Sequence, residues 1–216
     1  MKTILSGLLL LPLVSYAQTM LNFDAYARSE VPNDEMLVNL AVERKGADIG
    51  ALNEAVIGAM RSIISEAKAV PAVNSKLGHI STNPNYVNNA QDGWVVRGDV
   101  VLDSNDMKAL GQLAGRLGRD HQISGVSFRL SENARRMEES ALLPQAAANF
   151  KRKAAEAANA FGFKNYQIKQ ITLNRPGEFR HIVNYGTVVP ASTSAIPAAR
   201  GNTEVIVTVT GVASMK

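Results

Sequence analysis

The stretch Met36-Leu37-Val38-Asn39-Leu40-Ala41-Val42-Glu43-Arg44 decides the fold. Val38, Leu40 and Val42 fall on one side, with Asn39, Ala41 and Glu43 on the other. A period of two is that of a strand with one buried face. Lys45-Gly46 then turns the chain into a second pattern. Ile49, Leu52, Val56, Met60, Ile63 and Ala67 recur at three and four residues, the apolar stripe of an amphipathic helix. Asp48 stands where an N-cap belongs and Pro71 lies just past the end.

The same alternation of strand and helix continues toward the C-terminus. Ser75–Thr82 reads as a strand. Asn83–Gly93, rich in Asn and holding Pro84, reads as a loop. Trp94–Leu102 is a strand with Trp94, Val96, Val100 and Leu102 on one face and Arg97 and Asp99 on the other. Ser104 is placed to cap a second helix with Met107, Leu110, Leu113, Ala114 and Leu117 as its stripe. Gly111, Gly115 and Gly118 leave that helix bare at intervals. Each Gly costs about 1 kcal/mol against Ala in a helix, so close approach to another backbone is the expected compensation.

Ile123–Leu130 is a strand with Val126, Phe128 and Leu130 inward. Ser131 caps a helical stretch that Pro144 interrupts, because Pro lacks an N–H and clashes with the preceding turn. A break or kink is expected near Leu143, then a second helix to Phe161, with Phe150, Ala154, Ala157 and Phe161 as its stripe and Gly162 as its stop. Tyr166–Leu173 is a strand whose apolar phase slips between Ile168 and Ile171, the mark of a bulge. Thr203–Thr210 closes the series, with Val205, Val207 and Val209 on one face. A long irregular loop fills about 175–202, a length usually reserved for functional segments, and its part Phe179–Val189 is open to pairing as an irregular strand or hairpin.

The sum is an α+β domain, a mainly antiparallel sheet with helices packed on one face. The other face would carry Glu43, Arg97, Asp99, Arg129, Glu204 and Thr208.

The N-terminus carries an address. Met1-Lys2-Thr3 leads into an apolar run from Ile4 to Val14, followed by Ser15-Tyr16-Ala17, the pattern of a cleaved signal peptide. The run is about half the roughly 20 residues a spanning helix needs, and no later segment reaches that length. Cleavage after Ala17 leaves one domain over 18–216. The chain has no Cys, so disulfides and a lipidated N-terminal Cys are both excluded. Its formal net charge of +4 falls by one with the loss of Lys2 and is short of a nucleic-acid binder's footprint.

Several passages resemble the SIMPL-domain family of YggE-like periplasmic proteins. They are Val31-Pro32-Asn33-Asp34-Glu35 with its following strand, the strand Ile123-Ser124-Gly125-Val126-Ser127-Phe128-Arg129-Leu130-Ser131, the Ala-rich helix with Lys151, Lys153, Ala154, Ala157 and Ala160 leading to Gly162, and the Val/Thr-rich closing strand. The resemblance spans most of 25–212. It implies a two-layer SIMPL-like architecture in an exported, periplasmic, homo-oligomeric protein, with an indirect part in envelope or oxidative-stress defence. It supplies no catalytic residues.

The residues themselves mark no catalytic, cofactor or metal site. His79, His121 and His181 are the only His residues, and no two stand at ligand spacing. No Gly-x-Ser-x-Gly elbow and no phosphate-binding glycine fingerprint are present. The expectation is a non-enzyme whose main partner is itself, with other envelope proteins as further partners and no nucleic acid. Candidate contact residues are Tyr86, Trp94, Phe179 and Tyr185, with the basic pair Arg135, Arg136 and the triplet Lys151, Arg152 and Lys153. The alternative is a ligand-binding module or hydrolase built from loop residues near 83–93 and 175–200.

Overall fold

The structure, a computed structural model, describes residues 19–174 and 200–216. By internal packing the chain forms two compact units. One holds 28–141 with 200–205, and the other 19–27, 142–174 and 206–216.

The first unit is built on the alternating stretch. Strands β2 (Glu35–Gly46), β3 (Asn74–Val87), β4 (Ala90–Ser104) and β5 (Gln122–Arg129) form an antiparallel sheet in the order β3-β4-β2-β5. Helices α1 (Ile49–Lys68) and α2 (Met107–Leu117) cover the side onto which period two turns Val38, Leu40, Val42, Val96, Val100 and Leu102. The α1 stripe Leu52, Val56, Met60, Ile63 and Ala67 is buried there as expected, and so are Leu110, Leu113, Ala114 and Leu117 of the α2 stripe, with Met107 partly buried beside them. Asp48 caps α1 by accepting from the Gly50 and Ala51 amides at 2.8 and 3.2 Å. Gly98 sits in β4 where α1 crosses. A Cβ there would lie 2.3 Å from Met60 Sδ and 2.8 Å from Val56 Cγ1.

Three expectations change in this unit. Asn83–Gly93 is the end of a β-hairpin rather than a loop: β3 and β4 stay paired to Val87 and Ala90. The turn is made by Asn88 (φ 51°) and Asn89 (φ 64°), two left-handed residues in succession. Asn tolerates that region, and it matches the twist of a two-residue hairpin. Pro84 is accommodated because β3 is an edge strand. Helix α2 is capped by Asp106, which accepts from the Ala109 amide at 2.9 Å, while the Ser104 hydroxyl accepts from the Asp106 amide one step earlier. Gly111 and Gly115 meet no backbone: a Cβ on either would enter open space.

The face of this sheet opposite the helices mixes apolar Leu37, Ala41, Val95 and Val101 with paired charges. Arg97 meets Asp99 at 3.4 Å, and the exposed Lys76 reaches Asp103 at 3.5 Å. Asp103, 3 % exposed, also accepts from Asn74 Nδ2 at 2.9 Å. Buried Glu35 pairs with Arg129 across the β2–β5 ladder.

The second sheet has the order β1-β7-β6, from β1 (Met20–Pro32), β6 (Tyr166–Asn174) and β7 (Asn202–Met215). Strand β1 is an element beyond those expected. The Met215 amide donates to the Thr19 carbonyl and the Asn33 amide to the Gly201 carbonyl, so β1 and β7 run antiparallel. The bulge expected in β6 is present as a register shift between Ile168 and Gln170. The α+β antiparallel class holds, and the strands divide into two sheets, so Glu204 and Thr208 lie on β7 rather than beside Glu43, Arg97 and Asp99.

Helix α3 runs unbroken from Glu132 to Ala160, through Pro144. Of the break or kink expected near Leu143, the break does not occur, and the two expected helices are one. A Pro inside a helix forfeits one bond, to the carbonyl four residues earlier, and packing on either side can outweigh that loss. Ser131 begins the helix as expected, its hydroxyl accepting from the Ala134 amide. The buried residues of the second half are Leu142, Ala146, Phe150, Ala154 and Ala158. Phe150 stacks on Phe23 with centroids 4.7 Å apart. Phe161, expected in the stripe, is exposed instead. The expected loop 175–202 lies, as far as 199, outside the described residues.

Candidate functional site

The clearest built surface lies where α3 runs beside β1. Its residues follow from strand parity. In β1 the odd residues turn their backbone groups toward β7, as Thr19 and Asn33 show, so the even residues turn theirs outward. Helix α3 supplies donors to that outer row. Asn149 Nδ2 donates to the Tyr26 carbonyl at 2.8 Å and Lys153 Nζ to the Asp24 carbonyl at 2.7 Å. Asn149 and Lys153 are one helical turn apart, and Asp24 and Tyr26 are two residues apart on the strand. The spacing on the helix matches the spacing of outward carbonyls. Around them opens a shallow depression lined by Asp24, Ala25, Tyr26, Asn149, Arg152, Lys153 and Glu156.

Two of the sequence candidates, Arg152 and Lys153, meet here. Lys153 is committed to the strand. Arg152 faces Glu156 at 3.7 Å, a solvated pair one turn apart, worth about 0.3–0.5 kcal/mol. The Lys151 ammonium has no partner among the described residues, although its carbonyl accepts from the Tyr166 hydroxyl at 3.1 Å. Arg136 pairs with Glu132 at 3.3 Å, in the part of α3 that belongs to the other unit, and Arg135 beside it is half-buried. The basic clusters are thus two separate places on one helix. Tyr86 stands 63 % exposed near the hairpin tip. Trp94 packs against the α1/β4 core on the same hairpin, opposite Pro84 and Gly46. Phe179 and Tyr185 lie outside the described residues.

A second polar cluster gathers at the β1–β2 turn. The Asp34 carboxylate accepts from the Ser131 amide (2.6 Å), the Ser131 hydroxyl (2.7 Å) and Asn105 Nδ2 (3.1 Å). Buried Asn33 donates to the Arg200 carbonyl (2.8 Å) and accepts from the Thr203 hydroxyl (2.6 Å). These contacts tie the turn to the starts of α3, α2 and β7, and Asp34, Asn105, Asp106, Met107, Lys108 and Arg200 line a depression beside it. The sequence reading singled out none of these polar groups as a site. The available signal was Pro32-Asn33-Asp34, residues that favour turns and side-chain-to-backbone bonds.

Neither depression has a histidine among its lining residues. Neither His79 nor His121 makes a side-chain hydrogen bond among the described residues, and His181 lies outside them. No group of three or more His, Asp or Glu among the described residues is placed to hold a metal ion. No helix among them is long and apolar enough to cross a membrane.

Fold and surface together define a two-sheet α+β protein with satisfied polar clusters. The chain belongs to the SIMPL family, described as a protein of unknown function (DUF541), whose model matches residues 21–213. No curated protein matches it. Among solved structures, a hydantoinase/carbamoylase family amidase from Burkholderia ambifaria aligns at 13 % identity and a TM-score of 0.23. That alignment covers 45 % of this chain and 28 % of the amidase, too slight a likeness to bear on fold or activity.

Proposed function

We propose that the chain is an exported periplasmic protein without catalytic activity, which works by associating with itself and takes an indirect part in envelope or oxidative-stress defence. The observation that carries this reading is the SIMPL family match over 21–213. The leader-like pattern of Met1–Ala17 lies outside that match, as a removable address would. The lack of Cys fits an indirect role, since no thiol is available to reduce an oxidant.

Two measurements test it. Protein recovered from a periplasmic fraction should begin at Gln18; an intact leader in a cytosolic fraction would overturn the address. Light scattering on that mature protein, from micromolar upward, should show a mass above that of one chain. A strict monomer at every concentration would overturn self-association, and metal-free catalytic turnover of peroxide would overturn the indirect role.

A further inference from the structure

We propose that the outer edge of β6 pairs antiparallel, centred on Thr172, with the same edge of a second copy of the chain. The inference rests on the self-association reading above and assigns it a site.

Strand edges are ready templates for pairing, and proteins blunt them with bulges, charges, prolines or covering elements. Among the described strands, three of the four sheet edges are blunted. On β1 the outward carbonyls of Asp24 and Tyr26 are taken by Lys153 and Asn149. Strand β3 carries Lys76, Pro84 and two register shifts. Strand β5 is eight residues long and is interrupted by a shift at Asn39/Leu40 of its partner. Strand β6 is different. Beyond its bulge at Lys169, the run Gln170-Ile171-Thr172-Leu173 holds no charge and no Pro, and no described strand or side chain pairs with its outer edge.

Parity fixes which backbone groups that edge presents. Asn165 and Lys216 exchange two bonds, at 3.1 and 2.9 Å, so even residues of β7 face β6. After the shift, Gln170 and Thr172 stand opposite Val212 and Thr210 and take the internal ladder. Ile171 and Leu173 therefore turn their N–H and C=O groups outward. Their side chains share the α3 side of the sheet with Gly211 and Val209, yet are 53 % and 51 % exposed.

A two-fold axis at Thr172 makes this edge complementary to itself. Ile171 then faces Leu173 of the partner subunit, and Leu173 faces the partner's Ile171. Both are outward-bonding residues, so each pair exchanges two hydrogen bonds in antiparallel register. The apolar side chains meet on one face and the two Thr172 side chains on the other, both favourable cross-strand combinations. The contact is isologous and closes at a dimer. The sheet becomes six strands, with the partner's sheet continuing across the axis.

Amide hydrogen exchange on the mature protein tests the site. The Ile171 and Leu173 amides should slow as concentration rises from micromolar to submillimolar. Leu173→Pro removes an outward donor while leaving the β6–β7 ladder whole, and should raise the dimer dissociation constant roughly 10- to 100-fold. Ile171→Lys or Leu173→Glu alone should weaken the dimer, and the two together should restore it by setting opposite charges across each pair. Exchange that is slow at every concentration would mean that the chain covers its own edge. Exchange that is fast at every concentration would mean that the edge stays open. Either result overturns the proposal. If light scattering still shows an oligomer, only the site fails; a strict monomer fails both.

Discussion

Replacing Gly98 by Ala probes the closest contact between helix and sheet. The added methyl would stand 2.3 Å from Met60 Sδ and 2.8 Å from Val56 Cγ1. Carbon contacts settle at about 3.5–4.0 Å, so the overlap exceeds an ångström on one side and approaches it on the other. Met60 has rotamers to spare. Val56 is stiff at χ1 in a helix, so part of the strain must move α1 off β4. Overpacking of this kind costs about 1–3 kcal/mol. Met60→Ala alone should cost about 2–5 kcal/mol through lost burial and a cavity. In the double variant the new methyl fills part of that cavity, so the two costs should fall short of their sum by about 1–2 kcal/mol. Urea unfolding followed by Trp94 fluorescence measures all three, because this single Trp packs against the same core. An unchanged m-value would confirm that only stability moved. Additive costs, or a Gly98→Ala variant within about 0.5 kcal/mol of the parent, would refute the close approach.

Three further outcomes follow from other elements. Asp34→Ala strands the buried Ser131 amide and loses three charge-assisted bonds, and should cost about 2–4 kcal/mol in denaturant unfolding; Asp34→Asn keeps one acceptor and should cost less than half as much, so equal losses would show that the bonds are not what matters. Pro144→Ala restores a helical N–H opposite the Ser140 carbonyl and should stabilise the protein by about 1–3 kcal/mol in the same assay; a loss of stability would mean that α3 needs a bend there. At the hairpin turn, Asn89→Gly should be neutral to stabilising by up to about 1 kcal/mol, and Asn89→Val should cost about 1–2 kcal/mol; if the two were equivalent, the left-handed φ would be wrong.

Much of the first unit could be read from residue order because its patterns are local. The period of two in β2 and β4 and the stripes of α1 and α2 each report their own buried side. Strand β1 carried a local signal that went unread, since Leu21, Phe23, Ala25, Ala27 and Val31 alternate inward, although small Ala25 and Ala27 at its middle weaken the pattern. Asn88 and Asn89 were read as loop residues, although the same tolerance of positive φ also makes a tight hairpin. Phe161 was placed in the α3 stripe by alternating steps of four and three, while burial keeps to steps of four from Leu142 to Ala158. The division into two sheets depends on β1 meeting β7, and no local pattern carries that pairing. The same holds for the polar clusters: Asn149 is 123 residues from Tyr26, and Ser131 is 97 from Asp34.

The pairing of β1 with β7 also sets an order of events for a chain that emerges N-terminus first. The four strands from Glu35 to Arg129 are contiguous with their helices, so their sheet closes only short and medium loops. Strand β1 must wait for a partner that begins at Asn202, nearly the whole length of the chain later. Non-local pairing of that kind is slow, because the closure entropy is lost before any contact offsets it. During that wait β1 has neither β7 on one side nor, until α3 is made, Asn149 and Lys153 on the other. The first strand synthesised is thus the last to be secured, and a truncation anywhere before Asn202 leaves it permanently without its partner.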